Sequence, residues 1–267
     1  MSARPVALVT GAARRLGRVI ALELAHHGHD VAVHCRHSRA EAEATAAECR
    51  AAGARAEVVA ADLADEAACR ALVPAVVAGL GRLDAVVNNA SAFEHDTPAS
   101  FGYAAMERHW RANTGPAVLL AQALHAHLAA RESALDDAVA ATGCVVNLLD
   151  QKLWNPNPDY FSYTLSKAGL QAATVMLAQA LAPRVRVCAV APGLTLPSAL
   201  IDPARLSGLQ AQTPLGHGAA PEDVARSVRF LIESPAITGT TLLVDGGQHL
   251  QAQSRDVMFI ANPDKSQ

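Results

Sequence analysis

Three side chains in the second half of the sequence could transfer a proton. Asp150 follows the apolar run 143–149, which has strand character, and Tyr163 and Lys167 lie four residues apart in a run typical of a helix. Residues at i and i+4 share a helix face, so the ammonium is expected to lie near the phenol. A nearby positive charge lowers the tyrosine pKa, which makes Tyr163 a candidate proton donor. A capping role in the following loop is the alternative for Asp150.

A glycine-containing turn near the start of the sequence is suited to binding phosphate. The apolar run Val6-Ala-Leu-Val-Thr10 leads to Gly11, Gly17 and a long helical pattern. Gly11 permits a tight turn, and Gly17 lets the helix begin close to a ligand whose phosphates face its N-terminal N–H groups. The pattern predicts a dinucleotide site, with an ordinary turn between strand and helix as the alternative.

The residues that follow the second predicted strand indicate which dinucleotide would bind. The strand spans 30–35 and is followed by Arg36, His37 and Ser38, at the place where a carboxylate would favour NAD. Two basic side chains and a hydroxyl suit the 2′-phosphate of NADPH, which we predict as the cofactor. A solvated basic loop is the alternative interpretation.

Seven apolar runs with strand character alternate with alanine-rich helical stretches. The runs lie at 5–10, 30–35, 56–60, 84–88, 143–149, 185–191 and 241–244. This alternation predicts an α/β fold, a Rossmann-type doubly wound parallel sheet with helices on both faces. The length of 267 residues suits one such domain over residues 1–267, with a frayed polar tail at 262–267.

Charge and composition exclude several classes of protein. A net charge of −3 and a pI near 6.4 provide no broad attraction for nucleic acid. Five cysteines without paired spacing, and a start that lacks a long apolar segment, predict a reducing cytoplasm. No uncharged apolar stretch reaches the ~20 residues needed to span a bilayer. The spacing of the eleven histidines does not gather ligands, so no metal site is predicted.

Two helical stretches without charged residues suggest contact with a second subunit. Residues 112–130 and 168–183 contain no Asp, Glu, Lys or Arg. A surface helix normally has a charged face, so one face of each stretch should cover the sheet and the other should pack against another copy. A homo-oligomer is therefore predicted, and deep burial of both helices within one subunit is the alternative.

Five short motifs occur in the order typical of the short-chain dehydrogenase/reductase family. They are Thr10-Gly11 with Gly17, Asn88-Asn-Ala90, Tyr163 with Lys167, Pro192-Gly193, and Val244-Asp-Gly-Gly247. Together they resemble this family over nearly the whole chain, and the resemblance implies a reductase that assembles as a tetramer through paired helices. Two departures, Arg15 in place of a common glycine and Asp150 in place of the catalytic serine, resemble the pteridine reductase branch, which includes dihydromonapterin and dihydrofolate reductases.

The resemblance also implies roles for individual residues. It implies that Phe93 faces the nicotinamide across a flat slot for a pterin, and that Asn113 holds a water chain to Lys167. The implied cofactor site comprises Gly11, Arg15, Leu16, Gly17, Arg36, His37, Ser38, Asp62, Leu63, Asn89, Ala90, Ser91, Tyr163, Lys167, Pro192 and Gly193. The implied substrate site comprises Arg15, Ser91, Phe93, Asp150, Tyr163 and Leu194. Ordinary core packing is the alternative for Phe93.

The predicted reaction is hydride transfer from NADPH to a C=N bond of a pterin, with Tyr163, Lys167, Asp150 and Asn113 as the catalytic group. The poorly periodic region 194–218 is predicted to form a lid over this small-molecule substrate. An NADPH-dependent carbonyl reductase is the nearest alternative, and a non-catalytic NADP(H)-binding redox sensor is the second. Intact Tyr163 and Lys167 argue against the sensor.

Overall fold

The protein forms a seven-stranded parallel sheet with helices on both faces. The computed structural model describes residues 4–133, 141–197 and 201–260. The strands are β1 (Val6–Val9), β2 (Asp30–Cys35), β3 (Ala56–Ala60), β4 (Ala85–Asn88), β5 (Gly143–Leu148), β6 (Val185–Pro192) and β7 (Thr241–Val244). Their order in the sheet is β3-β2-β1-β4-β5-β6-β7. The predicted doubly wound fold is confirmed, and each predicted apolar run coincides with a strand.

Helices connect these strands in the described part of the chain. They are α1 (Arg15–His26), α2 (Arg39–Ala51), α3 (Glu66–Leu80), α4 (Tyr103–His109), a π-helical stretch (Trp110–Thr114), α5 (Gly115–Ser133), α6 (Phe161–Leu181), α7 (Pro203–Gln210), α8 (Pro221–Glu233) and α9 (Val257–Ile260). Two 3₁₀ turns span Gln151–Trp154 and Gln248–Leu250. Helix α3 shows how the sequence sets these limits, because the Asp65 side chain accepts hydrogen bonds from its first turn and left-handed Gly81 ends it.

The core lies on both faces of the sheet, and β1 contributes to each. Val6 and Leu8 belong to the cluster beneath α3 and α5, whereas Ala7 and Val9 belong to the cluster beneath α1 and α8. All four residues are fully buried. A strand covered on both faces has no polar side, so its sequence is continuously apolar rather than alternating. This burial on both faces explains why the central strands can be predicted from their continuous apolar sequence.

The charge-free stretches lie in the helices α5 and α6. Helix α5 buries Leu120, Leu124 and Leu128 against the sheet. The outer face of α6 leaves Val175 and Met176 exposed by 45% and 61%, an apolar surface of the kind expected from the sequence. No helix in the described ranges combines the length and apolar character needed to cross a membrane.

The region predicted to form a lid follows β6. Residues 194–197 and 201–218 are described, and helix α7 lies within them. The intervening residues 198–200 and the predicted tail 262–267 lie outside the described residues. The role of this region as a substrate lid stays a prediction.

Asp84, just before β4, ties several segments together at the sheet edge opposite the carboxyl ends of the strands. Its carboxylate accepts hydrogen bonds from Val6 N (2.8 Å), Arg82 (2.6 and 2.7 Å) and Arg131 (2.8 Å). Burial alone would raise the pKa of Asp84, but the hydrogen bonds from Arg82, Val6 and Arg131 outweigh it, and the pKa lies below its ordinary value. The ionised carboxylate therefore stabilises the fold.

We expect Asp84→Asn to lower the free energy of unfolding by about 2 kcal/mol at pH 7, because two arginines lose a charged acceptor. A folded-state pKa below the unfolded value of about 3.9 means that this contribution is present above that pH and disappears as pH falls through the folded-state pKa. Urea unfolding of both proteins at several pH values tests this expectation. A difference that persists undiminished in acid would contradict it.

Candidate active site

The candidate site lies at the carboxyl ends of β1, β4, β5 and β6. Strands β1 and β4 are neighbours in the sheet although β2 and β3 lie between them in the sequence. The chain connections leave this point toward opposite sides, which opens a crevice where ligands bind in doubly wound folds. Thr10, Asn88 and Pro192 mark the strand ends at this crevice, and Asp150 follows just after β5.

The glycine turn after β1 is held by a compact hydrogen-bond network. Gly11 has a φ of 63°, and a Cβ at Gly17 would lie 2.3 Å from the Gly11 carbonyl oxygen, so neither position suits a side chain. Asn89 Nδ2 donates to the Thr10 carbonyl (2.9 Å), while Thr10 Oγ1 accepts from Asn89 N (2.9 Å) and Ala90 N (3.0 Å). The turn therefore lies against the end of β4, as the predicted cofactor site requires.

His34 is a second support of this turn, which the sequence did not reveal. Its Nδ1 accepts a hydrogen bond from Gly11 N (3.1 Å), and its Nε2 lies 3.1 Å from the Ala61 carbonyl. Burial lowers the pKa of His34 below its ordinary value and outweighs the hydrogen bond to Ala61, which favours the neutral ring that this arrangement needs. A single buried histidine has no spacing signal from which this role could be predicted.

Arg15 occupies a position where backbone conformation favours glycine. Its φ is 54°, in the left-handed region that L-residues adopt at a cost of about 1–2 kcal/mol. The guanidinium Nη2 donates to the Pro197 carbonyl at 2.9 Å, so the side chain spans from the glycine turn to the segment after β6. This conformation explains why a glycine is common here, and the strained arginine is typical of a functional position.

The remaining residues of the predicted cofactor site lie along the ends of β2 and β3. Arg36 and His37 are exposed after β2, and Ser38 precedes α2. No hydrogen bond or ion pair of the described residues uses the side chains of Arg36 or His37. Asp62 is exposed after β3, whereas Leu63 is buried. These positions are compatible with the predicted 2′-phosphate and adenine contacts, and they stay predictions.

Asp150, Tyr163 and Lys167 lie together at the end of β5. Tyr163 Oη donates to Asp150 Oδ2 at 2.9 Å, and Asp150 Oδ1 accepts from Lys152 N at 2.9 Å. Lys167 Nζ donates to the Leu148 carbonyl (2.7 Å) and lies 5.8 Å from the centre of the Tyr163 ring. Tyr163 and Lys167 are almost fully buried, and Asp150 is partly exposed. The carboxylate, not the ammonium, is the hydrogen-bond partner of the phenol.

The proton affinities in this group correct one expectation. Burial, reinforced by the charge of Asp150, raises the pKa of Tyr163 well above its ordinary value, whereas the sequence predicted a lowered value. Burial also raises the pKa of Asp150 and lowers that of Lys167 to about 8. The expectation was wrong because the adjacent carboxylate and the loss of water outweigh a lysine that is not in hydrogen-bond contact. Tyr163 is therefore protonated at neutral pH.

Asn113, in the π-helical stretch, fixes the segment after β4. Its Oδ1 accepts from Ala92 N (2.7 Å) and Ser91 Oγ (3.1 Å), and its Nδ2 donates to the Ala92 carbonyl (3.1 Å) and to Ser166 Oγ (2.9 Å). These bonds position the residue that follows, Phe93. The water chain to the lysine, which the resemblance implied, stays a prediction.

Phe93 forms an aromatic wall beside the proton-transfer group. Its ring stacks on Tyr160 with centroids 4.1 Å apart and meets the Tyr163 ring edge-on at 4.7 Å. The residue is 45% exposed, so the alternative of ordinary core packing is wrong. Tyr160 was not predicted as a site residue, because it precedes α6 in a left-handed conformation that helical spacing does not reveal.

Pro192 and Gly193 close the other side of the crevice. A Cβ at Gly193 would lie 2.6 Å from Asp245 Cβ, so glycine allows the end of β6 to approach the turn after β7. Leu194 N donates to Gln248 Oε1 (3.1 Å), and the Leu194 carbonyl accepts from Gln210 Nε2 (2.7 Å). Leu194 also lines a cleft with these two glutamines, and its contact with a substrate stays a prediction. Within the described residues, no group of three or more His, Cys, Asp or Glu side chains could hold a metal ion.

Comparison with known proteins defines the class of this fold and site. The family model described as enoyl-(acyl carrier protein) reductase matches residues 11–249. FolM alternative dihydrofolate reductase 1 from Brucella suis and from Brucella canis, both solved with NADP, are 41% and 40% identical to this chain, with TM-scores of 0.86 and 0.85. These alignments cover 96% of this chain and 100% and 99% of those chains.

A second group of relatives consists of ketoacyl reductases. The 3-oxoacyl-(acyl-carrier-protein) reductase FabG of Staphylococcus aureus strain Mu50 is 33% identical over 255 residues, which cover 91% of this chain and 98% of that protein. The chain belongs to the short-chain dehydrogenase/reductase family, as its motifs indicated. It is accordingly an oxidoreductase.

We expect Gly17→Ala to raise the dissociation constant for NADPH more than about 10-fold, equivalent to about 1.4 kcal/mol, because the new methyl group would displace the Gly11 carbonyl from the turn. Gly102→Ala is the matched control, since a Cβ there meets nothing within 4 Å. Calorimetric titration of both variants measures the effect. Equal affinities in the two variants, with both proteins folded, would contradict the assignment of the turn.

Proposed function

We propose that this protein reduces a C=N bond of a pterin with NADPH as the hydride donor. The observation that carries the proposal is the 2.9 Å hydrogen bond between Tyr163 Oη and Asp150 Oδ2, beside the half-exposed ring of Phe93. A pterin is flat with polar groups at its edge, so Phe93 can stack on its face while the carboxylate meets its edge. The similarity to two proteins named FolM alternative dihydrofolate reductase supports this choice.

Two parts of the proposed cofactor site support a dinucleotide, and the part near Arg36 and His37 favours NADPH over NADH. Gly11 and Gly17 let the turn pack closely against Asn89, and a pyrophosphate would bind beside this turn to the N–H groups at the start of α1. Arg36 and His37 are exposed after β2 and their basic side chains suit a 2′-phosphate, and the two FolM proteins were solved with NADP. When bound, the cofactor supplies the hydride, and Pro192, Gly193 and Leu194 would border its nicotinamide end.

The side chains of this protein would manage the proton. Tyr163 has a raised pKa and is therefore protonated at neutral pH, the state that a donor to a ring nitrogen needs. Asp150 fixes the direction of the hydroxyl through its hydrogen bond. Lys167, with a pKa near 8, would balance the negative charge that remains on the phenol oxygen after transfer.

A ketone reductase is the second candidate, and the similarity to FabG favours it. In that case Asp150 would orient a carbonyl oxygen in place of the serine common in the family. An ionised carboxylate repels the negative charge that develops on such an oxygen, whereas it attracts the N–H groups at a pterin edge. The residue at position 150 therefore favours the pterin.

We also propose that the protein assembles with further copies of itself. Exposed Leu165, Val175 and Met176 on α6, together with exposed Trp110, form an apolar surface that a second subunit would cover. The family resemblance favours a tetramer.

The substrate proposal predicts NADPH oxidation with dihydrofolate, dihydrobiopterin and dihydromonapterin, and little oxidation with simple ketones. Absorbance at 340 nm measures each rate with the purified protein. Tyr163→Phe should reduce turnover at least about 100-fold and leave NADPH binding intact, because only the proton donor is lost.

Turnover confined to ketones would contradict the pterin assignment and favour the carbonyl reductase. Tight NADPH binding without turnover on either class would favour the redox sensor. Unchanged turnover in Tyr163→Phe would contradict its role as proton donor, whatever the substrate.

The pH dependence of turnover should follow Lys167. We expect kcat to fall as pH rises through about 8, because the lysine then loses its charge. The charge of Asp150 raises this pKa against the effect of burial, so Asp150→Asn should move the falling limb to lower pH. Asp84→Asn, at the opposite sheet edge, should leave the limb in place. A limb that stays or moves to higher pH in Asp150→Asn would contradict this account.

A further inference from the structure

The last described segment of the chain packs against the loop that carries the candidate substrate wall. Residues 251–260, here called the C-terminal arm, follow the 3₁₀ turn Gln248–Leu250 and end with α9. The arm contacts residues 152–160, which connect Asp150 to α6. Gln253 N donates to Asn155 Oδ1 (3.3 Å), and the ion pairs lie further along the arm.

The first ion pair joins the arm to the backbone that holds Asp150. Lys152 is 4% exposed, and its Nζ donates to Asp256 Oδ2 (3.1 Å) and to the Asp159 carbonyl (2.6 Å). A buried ammonium without a partner is strongly unfavourable, so Asp256 is needed where Lys152 lies. The backbone N–H of the same lysine donates to Asp150 Oδ1 at 2.9 Å. Lys152 thus connects Asp256 to Asp150, which is the hydrogen-bond partner of the Tyr163 hydroxyl.

The second ion pair fixes the residue before Tyr160. Asp159 is 1% exposed, and its carboxylate accepts from Arg255 Nε (2.8 Å), Arg255 Nη2 (2.9 Å) and Asp256 N (2.8 Å). Burial opposes ionisation of Asp159, but the hydrogen bond from Arg255 outweighs it and the pKa lies below its ordinary value. A two-pronged arginine contact of this kind restricts geometry as well as supplying energy.

Tyr160, which follows Asp159, has an unusual backbone conformation that the ion pair of Asp159 with Arg255 helps to hold. Its φ and ψ are 53° and 50°, in the left-handed region, which persists for a large residue only when its surroundings enforce it. The Tyr160 ring stacks on Phe93 at 4.1 Å and lies 6.0 Å from the ring of Phe259 in the arm. The Arg255 guanidinium lies 5.0 Å over the Phe259 ring. The arm therefore packs against Tyr160, the ring on which Phe93 stacks.

We propose that Arg255 and Asp256 are positioning residues of the reduction, which hold the loop 152–160 so that Asp150 meets Tyr163 and Tyr160 supports Phe93. This inference rests on the proposed function only in taking Tyr163 as the proton donor. The arm acts through Lys152 and Asp159 and needs no contact with the substrate.

The charge of Asp256 has a second consequence at the site. For Asp150, burial is the largest cause that raises the pKa, the hydrogen bonds from Lys152 N and Tyr163 lower it, and the charge of Asp256 raises it. For Tyr163, the charge of Asp256 raises the pKa after burial and Asp150. Lys167 and Lys152 are the positive groups near the pair, and Lys152 is itself bound to Asp256. Loss of the Asp256 charge should therefore shift the ionisation of the pair to lower pH.

The test compares Asp256→Asn with Asp30→Asn in the full-length protein. The asparagine keeps one oxygen for Lys152, and it removes the charge together with the second oxygen, which accepts from Met258 N (3.1 Å). Asp30 is the matched control because it is 1% exposed and bound to Arg55 (2.7 Å) at the opposite end of the sheet. For each variant we would measure kcat, its pH profile, NADPH affinity and hydrogen exchange of residues 152–163, with any substrate that the wild type reduces.

We expect Asp256→Asn to lower kcat about 10-fold, since small misplacement of reacting groups is costly, with unchanged NADPH affinity. The inflection of the pH profile that belongs to Asp150, identified as the one lost in Asp150→Asn, should move to lower pH. Hydrogen exchange in residues 152–163 should accelerate. Asp256→Glu should restore part of the rate. Arg255→Gln should accelerate the same exchange and lower kcat without moving the inflection as far.

If Asp256→Asn and Asp30→Asn behave alike in kcat, pH profile and exchange, the inference is overturned. If the wild type reduces ketones but not pterins, the proposed function is contradicted and the inference is still tested, because Asp256→Asn and Asp30→Asn can then be compared with the ketone as substrate. If the wild type reduces neither, hydrogen exchange still decides: unchanged exchange in 152–163 of Asp256→Asn would overturn the inference.

Discussion

The hydrogen bond between partly exposed Asp150 and buried Tyr163 is the interaction on which the candidate site depends. Burial raises the pKa of Asp150 although the hydrogen bond from Tyr163 lowers it, whereas burial and the adjacent carboxylate both raise the pKa of Tyr163. A nearby cation therefore stabilises the pair. Lys167 supplies that cation from one helical turn away, while Lys152 N–H holds the second carboxylate oxygen. The Tyr163 hydroxyl is therefore held by a carboxylate oxygen at 2.9 Å, a charged acceptor that a serine at position 150 would not supply.

The fold brings this pair to the cofactor site by placing strand ends together. Parallel strands end at the same sheet edge, so Gly11 after β1 and Asp150 after β5 face one crevice although they are distant in sequence. Asn113 and the aromatic stack of Phe93 on Tyr160 then fix the wall beside it. Backbone groups hold Asp150 and Lys167 through Lys152 N and the Leu148 carbonyl, and Asp150 in turn holds the Tyr163 hydroxyl.

The elements of the fold could be predicted because strands buried on both faces are continuously apolar. The candidate residues could be placed because Gly11, Gly17, Tyr163 and Lys167 carry their spacing in the sequence. The direction of the Tyr163 pKa shift could not be predicted, since it depends on burial and on a hydrogen bond that only the folded chain forms. The pair of Lys152 with Asp256 joins residues 104 positions apart and has no local signal.

The most direct test of this account is the ionisation of Asp150 itself. Carbon-13 NMR of side-chain carboxyl groups, with Asp150→Asn used to assign the resonance, follows its titration in the intact protein. The account predicts that Asp150 titrates above the ordinary aspartate value of about 3.9 and that Tyr163→Phe alters this titration. Titration at or below the ordinary value, unchanged in Tyr163→Phe, would contradict a desolvated Asp150 that is coupled to Tyr163 through this hydrogen bond.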